Sequence, residues 1–175
     1  MDLCALAVAA AACGGAAVLW LTVLDPSRPR DATERAWSEA ARALGLRYRA
    51  RREPLGPRLI GSRRGVELDV ELERGEGKGA RARASCGPVA EETVLPPLPV
   101  GLDEQQRWVR RLAPAPTAEL EAAVATLCAL AQGGTLAIQA GVLELCLPAA
   151  PTAAEPMVAL LDALTTLALA RSGER

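Results

Sequence analysis

The chain has 175 residues with 20 basic and 21 acidic side chains, a formal charge of −1, and neither histidine nor phenylalanine. Without histidine there is no Ser-His or Cys-His nucleophile, and a zinc site would rest on cysteines that are not spaced for one. A near-neutral chain in which no run interleaves aromatics with bases also excludes nucleic acid as an expected partner.

Leu3 to Leu24 carries no charge, and Thr22 is its one clearly polar side chain. As a helix it would be about 33 Å long, enough to cross a hydrocarbon core of roughly 30 Å, so a single-pass transmembrane anchor is expected. Asp2 precedes this run, whereas residues 25–65 hold eleven arginines against five acidic residues, a local charge of +6. By the positive-inside rule Arg28, Arg30 and Arg35 keep the following domain cytoplasmic, at the inner face of a bacterial plasma membrane. The rival is an exported lipoprotein, attached at Cys13 after Ala10-Ala11-Ala12, or a small periplasmic carboxylate-based enzyme. Against it, no basic residue precedes the apolar run, Ala10 stands where a larger aliphatic is usual, and the apolar run continues well past the cysteine.

The expected organisation is an anchor over 1–24, a Pro-containing linker over 25–30 and one α+β domain over 31–172. Five cysteines, at 4, 13, 86, 128 and 146, are odd in number and show no C-x-x-C spacing. They read as small buried hydrophobes and not as a disulfide framework. With three tryptophans and one tyrosine as its only aromatics, the core must be aliphatic.

Asp31 and Glu34 have the form of a capping box, and Trp37, Ala40, Ala41 and Leu44 then mark one face of a helix that stops at Gly45. Leu46 to Ala50 is a short candidate strand. Leu59 to Gly61 is joined through a turn at Ser62 to Gly65 to the clearest pattern in the domain, Val66-Glu67-Leu68-Asp69-Val70-Glu71-Leu72-Glu73. Strict alternation predicts a half-buried antiparallel strand. A loop centred on Gly77 leads into Ala80 to Cys86, which alternates again; this register sets Glu73 opposite Arg81, Glu71 opposite Arg83, Leu72 opposite Ala82 and Val70 opposite Ala84.

After an irregular, proline-rich connection in which Val94 and Leu95 touch the sheet, Asp103 is expected to cap a short helix bearing Trp108, Val109 and Leu112. Thr117 opens a stronger helix through Leu120, Val124, Leu127, Cys128 and Ala131, stopped by Gly133 and Gly134. Thr135 to Gln139 and Val142 to Leu147 form a hairpin about Ala140-Gly141. A last helix from about Glu155 to Ala170 is apolar through Met157, Leu160, Leu161, Leu164, Leu167 and Ala168, and closes the core.

The helix ending Leu44-Gly45-Leu46, the Leu59-x-Gly61 and Gly65-Val66 hairpin, and Leu130 to Leu145 with Gly134 and Gly141 resemble a loose group of uncharacterised bacterial membrane-anchored α+β proteins from GC-rich genomes. Those proteins carry an aromatic before the aspartate where this chain has Leu102. The resemblance implies an α+β domain on an N-terminal anchor, and it supplies no catalytic, cofactor-binding or metal-binding residue.

Two patterns invite chemistry and fail on context. Gly75, Gly77 and Ala80 fit G-x-G-x-x-A, but an alternating strand follows instead of a helix. Gly77-Lys78 lacks both the following hydroxyl and the earlier glycine of a phosphate loop. Glu67, Asp69, Glu71 and Glu73 share a face for which cross-strand arginines are a sufficient use, and Asp103 and Glu104 suit the positive end of a helix. The expectation is therefore a membrane-tethered, non-enzymatic module that binds or scaffolds a protein. Arg42, Arg47, Arg49, Arg51 and Arg52, with Arg58, Arg63 and Arg64 behind them, are the candidate contacts for anionic lipid headgroups.

Overall fold

The computed structural model describes residues 32–50, 56–72, 79–86, 93–94, 98, 101–112 and 116–172. The expected anchor, the linker, the Asp31 cap, Glu73 and the glycine loop after it lie outside the described residues. Among the described residues no helix is long and apolar enough to cross a membrane. The remainder is an α+β domain. Helix α1 (Ala32–Leu44) leads into strands β1 (Arg47–Arg49), β2 (Arg58–Arg63), β3 (Val66–Leu72), β4 (Ala80–Ser85) and β5 (Thr93–Val94). Helices α2 (Leu102–Leu112) and α3 (Ala118–Leu130), strands β6 (Thr135–Gln139) and β7 (Val142–Leu147), and helix α4 (Ala154–Ser172) complete it.

Both short hairpins turn where the sequence puts its turn residues. Arg64 and Gly65 have φ of 52° and 83°, and Ala140 and Gly141 have 47° and 76°, so each turn has both central residues in the left-handed region that two-residue hairpins require. The first turn is thus two residues long, since Ser62 and Arg63 still pair with Glu67 and Val66. The expected strand at Leu46 to Ala50 is shorter, and Asp103 lies inside the first turn of α2, which begins at Leu102. Thr117 caps α3 as expected, its hydroxyl accepting from the Leu120 amide at 3.2 Å. Helix α1 ends in a Schellman arrangement: Gly45 has φ 71°, and the Leu46 amide donates to the Ala41 carbonyl at 2.8 Å. Leu46 is thereby tucked into the core.

The hairpins do not stand apart. They merge into one seven-stranded antiparallel sheet in the order β1-β2-β3-β4-β7-β6-β5, because β4 pairs with β7, Ala82 opposite Leu145 and Arg83 opposite Glu144. The β3–β4 register differs from the sequence expectation by two residues: Glu71 faces Arg81, Asp69 faces Arg83 and Val70 faces Ala82. An even shift keeps every side chain on its face. In this register Arg81 and Arg83 answer to carboxylates on both neighbouring strands, Glu71 of β3 and Glu144 of β7.

Helices cover one face of the sheet. Leu59, Leu68, Val70, Ala80, Ala82, Ala84, Leu143 and Leu145 point into them and are almost fully buried. Helix α4 lies against α1 on one side and α3 on the other and touches β3 and β4, while α2 packs on α3. Its residues Met157, Leu160, Leu161, Leu164, Leu167 and Ala168 have no exposed surface. Thr165 is equally buried and satisfies its hydroxyl by donating to the Leu161 carbonyl at 2.7 Å. Trp37 of α1, also fully buried, donates its indole N–H to the Pro151 carbonyl at 3.1 Å, which ties the first helix to the approach to the last.

Gly134 has the least room of the described glycines. A Cβ there would sit 2.8 Å from the Ala131 carbonyl oxygen and 2.9 Å from that of Cys146, and both obstacles are backbone. Gly134→Ala is therefore expected to cost about 1–3 kcal/mol, an overpacking penalty read as a lowered urea midpoint at unchanged slope.

Candidate functional site

The face of the sheet away from the helices is built from the other half of each alternation. It brings together Arg47 and Arg49 of β1, Arg58 and Ile60 of β2, Asp69 and Glu71 of β3, Arg81 and Arg83 of β4, and Glu144 and Cys146 of β7. Arg58 grips Asp69 with both prongs of its guanidinium, Nε to Oδ1 at 2.6 Å and Nη2 to Oδ2. That hydrogen bond, more than the accompanying charge, raises the pKa of Arg58 above its ordinary value, against a smaller lowering by desolvation. Arg83 sits between Glu71, 3.6 Å away, and Glu144, 2.7 Å away. Arg81 bridges the same two carboxylates more loosely, at 4.0 and 3.7 Å.

The clustered acids of β3 are thus mostly engaged. Asp69 and Glu71 serve arginines on the flanking strands, as the cross-strand argument expects, while Glu67 is exposed at the far end of the strand. Glu144 is the residue that pairwise reading of β3 and β4 misses. The alternation Leu143-Glu144-Leu145-Cys146-Leu147 already places it on the polar face, but nothing local indicates that β7 lies beside β4. Among the described residues there is no group of three or more His, Cys, Asp or Glu side chains able to hold a metal ion.

The arginine group divides. Arg58 belongs to the ladder, and Arg63 crosses to the helix side, where its Nε donates to Asp162 of α4 at 3.0 Å. Arg42, in the last turn of α1 where a cation suits the helix dipole, is exposed, as are Arg47, Arg49 and the turn residue Arg64. Arg47 and Arg49 lie on the open face, whereas Arg42 belongs to the helix layer. Arg51 and Arg52 lie outside the described residues. The structure therefore puts Arg47 and Arg49 on one face of the sheet and Arg42 in the helix layer.

A shallow groove of about 500 Å³ runs between α2 and α3, lined by Gln105, Val109, Arg110, Pro116, Glu121 and Ala125 among others. It offers amide and apolar surface and no pair of convergent carboxylates. Comparison with known protein families, with curated proteins and with solved structures finds no match.

The ladder's guanidinium and carboxylate groups are each about one-third exposed, so solvent and salt weaken it. Glu144→Gln, which removes the shared counter-charge of Arg81 and Arg83, is expected to lower stability by about 1 kcal/mol or less in urea titration, with the loss shrinking at high salt.

The thiols follow burial. Cys86 and Cys128 are buried and in no disulfide, and desolvation raises both pKa values; for Cys86 a smaller opposing effect comes from Arg171. Both should resist a maleimide in the native protein and react only on unfolding. Because the folded thiols ionise later than the unfolded ones, their contribution is complete below the ordinary thiol pKa and is lost as pH rises through the raised values. A denaturation series into the alkaline range is expected to show stability falling there, and a double Cys→Ala variant should flatten that fall.

Proposed function

We propose that this chain is a membrane-tethered, non-enzymatic module that holds a protein partner at the cytoplasmic face of a bacterial inner membrane, with residues 3–24 as its single-pass anchor. The observation that carries this reading is the use made of the clustered carboxylates: Asp69, Glu71 and Glu144 are each matched to an arginine. Acids spent on a cross-strand ladder keep a sheet in register and leave its edges for recognition. The uncharged run Leu3 to Leu24 and the +6 segment after it support the tether and its direction.

Contact with anionic headgroups is a second reading. It is favoured by Arg42, Arg47 and Arg49, which are exposed and make no ion pair among the described residues. The three do not share one face, so a flat bilayer would meet them only edge-on.

Cell fractionation tests the main reading. The full chain is expected in the membrane fraction, resistant to high salt and released by detergent, and deletion of residues 3–24 should move the domain to the soluble fraction. Protease added to intact spheroplasts should leave the domain whole. Digestion there would overturn the cytoplasmic placement in favour of export with attachment at Cys13.

A further inference from the structure

Strand β1 ends the sheet. Arg47, Tyr48 and Arg49 pair with Ile60, Leu59 and Arg58 of β2 on one side and with no strand among the described residues on the other. Such an edge directs backbone N–H and C=O groups outward, a template on which another extended chain can add.

The side chains decide which chain. Tyr48 turns to the helix-covered face and is half-buried, while Arg47 and Arg49 stand exposed on the open face. Arg49 lies directly opposite Arg58, a like-charge pair across the strands, and Asp69 is already committed to Arg58. Neither Arg47 nor Arg49 has an ion partner among the described residues. A second copy of β1 is a poor occupant: antiparallel pairing about Tyr48 would set Arg47 against Arg49 of the copy, like charge on like charge. An acidic strand reverses that sign at both positions.

We propose that β1 is a docking edge for an extended acidic segment of a protein partner, which adds as an antiparallel strand. Carboxylates at alternate positions of the segment face Arg47 and Arg49, and the residue between them lies on the Tyr48 side. This rests on the protein-binding part of the reading above and names the surface and the chemistry of the partner.

The full chain in neutral phosphatidylcholine nanodiscs, titrated against a fluorescent peptide of alternating Glu and Thr, tests it by anisotropy. Saturable binding is expected. It should weaken about tenfold in the Arg47→Glu/Arg49→Glu variant and recover when that variant meets a peptide of alternating Lys and Thr, a rescue that also shows the variant is folded. A Glu-Thr peptide N-methylated at alternate amides keeps its charge and loses its ladder, so it should bind about tenfold more weakly as well. Equal binding of the methylated peptide would overturn the proposal, because the arginines would then act through charge alone, as they would toward a lipid headgroup. Indifference to the charge reversal would overturn it too. Co-flotation with the discs reads the tether separately: a chain that fails to float but binds the peptide overturns the membrane assignment and leaves strand addition standing.

Discussion

The domain depends on how closely α4 can lie on the sheet. A core without phenylalanine has few bulky side chains to fill space, so it must gain density by bringing backbones together. Strand β4 allows this: its inward residues, Ala80, Ala82 and Ala84, are alanine throughout and fully buried. Over them lies a helix whose buried residues are mainly leucine, with Met157, so small side chains on the strand are covered by larger ones on the helix. Approaches of 8 Å or less between Cα atoms of α4 and both β3 and β4 are the outcome. Helices α1 and α3 then flank α4, and α1 also reaches β1 and β2.

With one face so apolar, the other must keep the sheet soluble and in register. Opposite charges on adjacent strands do both at little energetic cost, because half-exposed ion pairs add little to stability while a mismatch is penalised. The arginines of β4 are central, since each is shared between a strand formed earlier in the chain and one formed much later. Toward β1 the balance ends: the last two arginines have no acid beside them among the described residues, and the edge remains positive.

The sequence reveals whatever is encoded locally. Alternation, the Gly and Ala-Gly turns, the Thr117 cap and the Gly45 stop each specify their own element, and those elements appear within a residue or two of where they are expected. The β3–β4 register was under-determined, because two alignments two residues apart both keep the aliphatics on one face and both set acids opposite Arg81 and Arg83. The pairing of β4 with β7, which turns separate hairpins into one sheet, leaves no local trace. The candidate site was legible to the same extent. The arginines are obvious in the sequence, but which of them are consumed, as Arg58 and Arg63 are, depends on Asp69 across a turn and on Asp162 across 99 residues.

The seam between β4 and β7 joins residues 61 positions apart, Arg83 to Glu144, whereas β6 and β7, like β2 and β3, close through a two-residue turn. Hairpins of that kind form in microseconds, and a seam of that span waits on loop closure. During synthesis β4 is therefore a bare sheet edge for as long as it takes the ribosome to deliver β7. An edge with alanines on one side and nothing opposing it would invite pairing with another nascent chain. Arg81 and Arg83 place two like charges along that edge, and like charges there oppose pairing with a second copy of the same strand.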